Sequence, residues 1–168
     1  GSGPQDRDET IGPNKPFRDL AQGLASQGIA VLRYEKRTRH HRLKMTLLSG
    51  GMTVKEETVD DVVAAVESLT QQPRINGDRI FVLGHSLGGN LLPRIGAASG
   101  KIAGFISLAG SVRPLEDLVL DQVKYLLSLD GSITAEEQQQ IEVIEKQVEM
   151  VKSPELSEGI AATELPLG

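Results

Sequence analysis

The sequence predicts an α/β fold in which a parallel sheet is flanked by helices and followed by a purely helical segment. Through residue 110, short apolar runs alternate with apolar stripes at helical spacing, which is typical of parallel strands joined by right-handed crossover helices. The apolar run at residues 79–83 leads directly into a G-H-S-L-G motif at residues 84–88, the pattern of a sharp strand-to-helix turn. Two helical stripes then follow each other without a strand. We therefore expect two domains, residues 1–112 and residues 113–168.

Composition limits the classes of function. At 168 residues, with 39% hydrophobic and 24% charged residues, the chain has the make-up of a folded domain. Its net charge of -5 argues against a nucleic-acid binder, which usually carries a basic face. The absence of cysteine excludes disulfides and thiolate catalysis. No apolar run approaches the roughly 20 residues of a membrane span, so none is predicted. The compartment is left open, with the cytoplasm favoured.

The first part of the chain predicts a loop, a helix and a strand. Residues 1–14 are rich in glycine and proline and show no periodicity, as expected of a loop. The helix has Asn14 as N-cap, Pro16 in its first turn and Gly28 as C-cap. Its apolar face consists of Phe17, Leu20, Ala21, Leu24 and Ala25. The continuous apolar run at residues 29–34 then predicts a buried strand.

A basic segment at residues 36–44 follows this strand and has two interpretations. The simpler one is a solvated loop, since a run of like charges is usually exposed. Alternatively, because loops leaving the carboxyl ends of parallel strands share one edge of the sheet, the segment lies beside Ser86 and attracts an anionic substrate group. His40 and His41 are poor metal ligands here, because no carboxylate lies at a ligand-like spacing beside them. We predict no metal site and no cofactor.

Two helices and two strands are predicted between residues 53 and 109. Thr53 and Glu56 form a capping box. The apolar stripe behind it consists of Val59, Val62, Val63, Val66 and Leu69. The helix after the G-H-S-L-G motif contains Pro93, which should kink or shorten it because proline removes a helical hydrogen bond. Residues 102–109 then form the third strand.

The last part of the sequence is predicted to be helical. Residues 115–129 carry a broad apolar face. Thr134 and Glu137 form a second capping box before a narrower apolar stripe that continues to Lys152. Residues 155–168 have the composition of a loop.

The motif at residues 84–88 gives Ser86 the context of a nucleophile elbow. We expect Gly84 and Gly88 there because a Cβ has no room where the helix start crosses the strand end, and Gly89 extends the motif. A serine hydroxyl needs a histidine base and an acid that orients the histidine. The backbone N–H of Leu87, next to the nucleophile, is suited to hold an oxyanion. We expect His85 to pack or hydrogen-bond rather than to catalyse.

Together, the GHSLGG run, the strand before it and the opening residues GSGPQDRDETIGPNKPFRDLA resemble the α/β-hydrolase superfamily, and within it bacterial carboxylesterases of the EstD type. The resemblance covers essentially the whole chain. It implies a three-layer α/β-hydrolase fold in which residues 29–34, 79–83 and 102–109 are the fourth, fifth and sixth strands. It also implies that Ser2, or Gly3, gives the second oxyanion N–H, and that residues 115–152 form a helical cap over the active site.

The same resemblance implies parts that this sequence does not contain. In such enzymes the acid and then the histidine follow the cap, whereas here no histidine follows His85. The family's third strand lies between the fourth and the fifth, and its sequence would precede residue 1. We therefore interpret the chain as an internal fragment of a longer hydrolase. The alternatives are a displaced acid at Asp117 or Glu116 and a displaced base at His40 or His41.

The function implied by the resemblance is cleavage of a small carboxylic ester through a Ser86 acyl-enzyme. A peptidase or thioesterase on the same fold is the nearest enzymatic alternative, since a fold does not fix the substrate. A second hypothesis is that the chain by itself is catalytically silent and binds only a ligand or a partner. Apolar surface made for absent strands would then favour self-association through exposed strand edges.

Overall fold

The computed structural model describes residues 1–47 and 53–153, apart from the side chains of residues 46 and 47. Residues 48–52 and the predicted tail at residues 155–168 lie outside the described residues. The chain divides into two compact units, one ending at Ser111 and the other beginning at Val112.

The first unit alternates helices and strands, which confirms the α/β class. Its helices are α1 (Pro16–Ser26), α2 (Arg37–His40), α3 (Arg42–Leu47), α4 (Asp60–Thr70), α5 (Leu87–Asn90) and α6 (Leu92–Ala98), and its strands are β1 (Phe81–His85) and β2 (Gly104–Leu108). A π-helical turn at Lys55–Val59 precedes α4, and a 3₁₀ turn at Gly77–Arg79 precedes β1.

The two strands pair in parallel, with Phe81 opposite Gly104 and His85 opposite Leu108. The chain passes from β1 to β2 through α5 and α6, which is the helical crossover that a parallel pair requires. Two of the three predicted strands are therefore present.

The strand predicted at residues 29–34 is not confirmed. This segment has no regular secondary structure, and the sheet formed by the described residues has two strands. Its apolar side chains are exposed, with Ile29 52% and Val31 40% accessible. A β-branched sequence becomes a strand only where a neighbour takes up its backbone hydrogen bonds. The described part of the chain provides no such neighbour for this segment.

The core lies between α4, α6 and β1. Its most buried side chain is Ile95, which is 1% exposed and packs with Val59, Leu91 and Leu92. The helix after β1 is divided at Leu91, and Pro93 lies in the first turn of α6, where its missing N–H removes no helical hydrogen bond. The helix is short, as predicted, but the lost hydrogen bond given as the reason is wrong, because Pro93 lies at the start of α6.

The predicted ends of α1 are partly correct. Gly28 has a φ of 79°, and its N–H donates to the Ala25 carbonyl oxygen at 3.0 Å, so it ends the helix as expected. Lys15, rather than Asn14, occupies the N-cap, because Asn14 pairs with Ile11 in an isolated antiparallel bridge. The basic segment, predicted as a loop, instead forms α2 and the start of α3.

The second unit contains α7 (Leu115–Leu127) and α8 (Ala135–Lys152), as predicted. The Thr134 hydroxyl accepts from the Glu137 N–H at 3.2 Å, and the Glu137 carboxylate accepts from the Thr134 N–H at 2.8 Å, which confirms the capping box. An ion pair joins the two helices, with the Lys124 ammonium 2.6 Å from the Glu145 carboxylate. Within the described ranges, no helix is both long and apolar enough to cross a bilayer.

Candidate active site

Ser86 lies between β1 and α5 in a backbone conformation that non-glycine residues rarely adopt. Its φ is 51° and its ψ is -119°. Its N–H donates to the Leu108 carbonyl oxygen at 2.9 Å, and its own carbonyl oxygen accepts from the Asn90 N–H at 3.1 Å. Such a conformation costs about 1–3 kcal/mol and persists only where the surroundings enforce it. Here the hydrogen bond to β2 fixes the N–H of Ser86, and the hydrogen bond from α5 fixes its carbonyl group.

Close backbone packing explains two of the three glycines around Ser86. A Cβ at Gly84 would lie 2.5 Å from the carbonyl carbon of Gly88 and closer still to its oxygen. A Cβ at Gly89 would lie 2.7 Å from the Cα of Gly110. A Cβ at Gly88 would meet nothing within 4 Å, so the crowding expected there is absent. The backbone of Gly88 approaches Gly84 closely, but Gly88 itself has room for a side chain.

The loop after β2 is hydrogen-bonded to the first turn of the helix that follows Ser86. Its Ala109 has a φ of 49°, a second unusual non-glycine conformation. The Ser111 N–H donates to the Asn90 side-chain oxygen at 2.5 Å. Asn90, in the first turn after Ser86, therefore fixes the exit of β2 relative to the serine.

Glu9 connects the opening loop to the elbow, and it was not predicted from the sequence. Its side chain is buried, its φ is 51°, and its carboxylate lies 2.9 Å from Nδ1 of His85. The ring of Phe17 contacts the His85 ring edge-on, with centroids 5.9 Å apart. His85 therefore hydrogen-bonds and packs, as expected of it. A single acidic residue in a glycine-rich loop does not indicate, from sequence alone, a contact with a histidine 76 residues later.

The middle of the opening loop, residues 6–10, is held by hydrogen bonds to Asp6. The Asp6 carboxylate accepts from the Thr10 N–H at 3.0 Å and from the Asp8 N–H at 3.1 Å. The hydrogen bonds from Thr10, more than the nearby charge of Arg39, lower the pKa of Asp6. Ser2 is exposed in the same loop, and its carbonyl oxygen accepts from Nε2 of Gln5 at 3.2 Å.

Comparison with known proteins identifies the family. Residues 16–125, more than half of the chain, match the model of the prolyl oligopeptidase family. The chain belongs to the prolyl oligopeptidase family. This is a hydrolase family of the α/β-hydrolase superfamily, so the resemblance drawn from the G-H-S-L-G motif is confirmed.

A curated relative extends the comparison. Over 137 residues, which are 82% of this chain, the sequence is 47% identical to Esterase EstD of Thermotoga maritima. The chain spans about a third, 32%, of the length of that protein. No solved structure matches the chain.

The three histidines of this prolyl oligopeptidase family member lie in two places. His85 contacts Glu9, whereas the rings of His40 and His41 contact each other edge-on at 4.6 Å, near the end of α2. His40 also lines an open cleft of about 480 Å³ with Asp6, Glu35 and Arg39. No group of three or more potential metal-ligating side chains is found among residues 1–47 and 53–153.

Several basic side chains of the segment at residues 36–44 form ion pairs with carboxylates. Arg37 forms a two-pronged ion pair with Asp61, and the Lys36 ammonium lies 3.1 Å from the Glu57 carboxylate. Arg39 lies 3.7 Å from Glu35. The first two pairs attach the segment to the π-helical turn and to the first turn of α4. All three pairs reduce the electrostatic field available to attract an anionic substrate.

The predicted acid candidates of the second unit lie in the first turn of α7. Asp117 pairs there with Lys152 of α8, and Glu116 is its neighbour. An acidic side chain in the first turn also favours a helix, because it faces the positive end of the helix dipole. A role in holding α7 and α8 together accounts for Asp117 without catalysis.

Proposed function

We propose that Ser86 is the nucleophile of a serine hydrolase that cleaves small carboxylic esters, with the N–H groups of Leu87 and Ser2 holding the oxyanion. The observation that carries this proposal is the enforced conformation of Ser86, φ 51°, at a strand-to-helix junction in a hydrolase family. The relative at 47% identity is named an esterase, which favours esters as the substrate class.

The reaction divides into two acyl transfers. The Ser86 oxygen bonds to the ester carbonyl carbon while a base takes the hydroxyl proton, and the carbonyl oxygen becomes an anion that the two N–H groups stabilise. The tetrahedral intermediate then collapses, and the alcohol leaves with the proton that the base returns. Water repeats the sequence on the acyl-enzyme and releases the acid. The enforced turn contributes by fixing the direction of the hydroxyl before substrate arrives.

We further propose that the base and the acid of the triad come from polypeptide outside these 168 residues, so that the isolated chain is catalytically silent. The contacts of the three histidines support this, because His85 is hydrogen-bonded to Glu9 and the rings of the other two contact each other edge-on. The relative is about two and a half times as long as this chain, which leaves room for both residues. In the same proposal the first unit is part of the three-layer core, and α7 with α8 forms the cap.

Chemical rescue tests the nucleophile even if the base is absent. Hydrolysis of p-nitrophenyl acetate is measured with and without added imidazole, for the chain, for Ser86→Ala and for Ser68→Ala, an exposed serine on α4. We expect turnover that depends on Ser86 only when imidazole is present, after subtraction of the Ser86→Ala rate. Equal rates for the chain and Ser86→Ala at all imidazole concentrations would refute the nucleophile. Rapid Ser86-dependent turnover without imidazole would refute the silent chain.

The family description gives a second candidate, a peptidase, because the matching family is named for an oligopeptidase. Amide cleavage needs protonation of a poorer leaving group, so it depends more strongly on the missing acid and base. The rescue assay distinguishes the two when a prolyl-p-nitroanilide peptide replaces the ester. A Ser86-dependent preference for the anilide over the ester would favour the peptidase.

A further inference from the structure

We propose that Lys36 is a positioning residue that turns the N–H of Ser2 toward the oxyanion. The proposal rests on the proposed function of Ser86 and Ser2. The Lys36 ammonium donates to the carbonyl oxygens of Gly1 at 3.2 Å and of Gly3 at 3.0 Å. It thus binds the carbonyl groups on both sides of the residue whose N–H is to act.

Peptide geometry converts this contact into a direction. In a planar trans peptide the carbonyl C=O and the following N–H point in opposite directions. Because the Gly1 carbonyl is directed at Lys36, the N–H of Ser2, in the same peptide unit, is directed away from Lys36. Gln5 acts in the same way on the next peptide, since its Nε2 donates to the Ser2 carbonyl oxygen at 3.2 Å. The Gly3 N–H is therefore directed away from Gln5.

The surroundings of Lys36 differ from those of a solvated lysine. Its side chain is 14% exposed, and the Glu57 carboxylate, itself 17% exposed, lies 3.1 Å from the ammonium. A lysine ammonium has three N–H donors, and the two carbonyl oxygens and Glu57 provide three acceptors. The Thr38 hydroxyl donates to the same Glu57 oxygen at 2.9 Å and orients it. A charge that is largely removed from water is stable only with such compensation.

A glycine-rich loop needs an external anchor to hold one direction. Gly3 has a φ of 75°, and a Cβ there would meet nothing within 4 Å, so packing does not restrict this residue. Glycine samples many backbone conformations at similar energy. Lys36 also donates its backbone N–H to the Gln5 carbonyl oxygen at 3.3 Å. The polar contacts of Lys36 restrict the loop instead.

The test compares Lys36→Met with Lys44→Met, a matched loss of one lysine charge at an exposed site in α3. In the imidazole-supported esterase reaction, Lys36→Met should lower kcat by about 10- to 100-fold, the cost of misdirecting one oxyanion donor, with little change in KM. Lys44→Met should match the parent chain. Lys36→Arg, which keeps a charged donor, should recover most of the lost rate.

Binding of phenylboronic acid gives a readout that does not need turnover, because its tetrahedral adduct with a serine places an oxygen in the oxyanion position. We expect the Kd to rise at least about 10-fold in Lys36→Met and to stay unchanged in Lys44→Met. If Ser86→Ala changes neither rate nor boronate binding, the proposed function has failed. If Ser86→Ala abolishes both while Lys36→Met behaves like Lys44→Met, only the role of Lys36 is refuted. Circular dichroism melts of each variant separate lost folding from lost positioning. If Lys36→Met does not fold, Lys36→Gln, which stays polar but is too short to reach both carbonyl oxygens, carries the test with the same expected losses.

Discussion

Replacing Gly84 by alanine is expected to destabilise the fold severely, whereas the same replacement at Gly88 is expected to be harmless. The two residues belong to one motif and differ in what surrounds them. A Cβ on Gly84 would lie 2.5 Å from the carbonyl carbon of Gly88 and 2.8 Å from the nitrogen of Gly89. A Cβ on Gly88 would meet nothing within 4 Å.

The size of the effect follows from these distances. Ordinary van der Waals contacts of a Cβ begin near 3.4 Å, so the peptide between Gly88 and Gly89 must move by about 1 Å to admit the methyl group. Because that peptide is backbone, no side-chain rotation relieves the overlap. Overpacking of rigid sites costs about 1–3 kcal/mol, and we expect the upper end for Gly84→Ala. In a chain of this size that loss lowers the Tm by about 6–12 °C.

The expectation for Gly88→Ala has the opposite sign. Gly88 lies within α5, and its φ is not positive. Alanine in a helix is more stable than glycine by about 0.5–1 kcal/mol, because glycine loses more backbone entropy on folding. The free energy of unfolding of both variants is measured by urea titration with circular dichroism, and the m-value checks that the unfolded states are comparable. Equal stability losses at the two positions would refute the steric reasoning.

Three other substitutions test separate features of the fold. Ile95→Ala, at the most buried core position, should cost about 2–5 kcal/mol in a urea titration, whereas a loss below 1 kcal/mol would contradict the assignment of the core. Hydrogen bonds from the Thr53 hydroxyl, and next from the Thr53 N–H, lower the pKa of Glu56 from 4.5 to about 2, so this carboxylate stabilises the fold above about pH 4.5 and less as the pH falls toward 2. In Thr53→Ala, which removes the hydroxyl, the Tm should fall less over that range, and an unchanged profile would argue against the contact. Val31→Lys, on the exposed apolar segment at residues 29–34, should reduce self-association in sedimentation velocity, and a parent chain that sediments as a monomer would remove the basis for this prediction.

The parts of the fold predicted correctly are those with a local cause. The Thr134 capping box, the C-cap at Gly28 and the break near Pro93 each depend on residues within one or two turns. The strand-to-helix turn at Ser86 is of the same kind. Its glycines, the apolar run before it and the helix after it are adjacent in sequence, so the pattern contains most of the information.

The parts predicted wrongly or missed depend on distant partners. Residues 29–34 have the sequence of a buried strand, but hydrogen bonding requires a neighbouring strand that no local pattern reveals. Lys36 belongs to a run that reads as solvated, and its acceptors in the opening loop are carbonyl groups, which every residue has. Nothing in the sequence distinguishes the two carbonyls that bind it from the others.

Two kinds of contact hold the parts of the candidate site. The elbow is fixed by steric contact and by the core around Ile95, so damage to it should appear as lost stability. The opening loop is attached by polar contacts, from Lys36 to Gly1 and from Glu9 to His85, across 35 and 76 residues. Removing one such contact changes the direction of a loop peptide while the core around Ile95 stays packed. Substitutions at Lys36 and Glu9 should therefore reduce oxyanion binding more than stability, whereas Gly84 and Ile95 should show the reverse order.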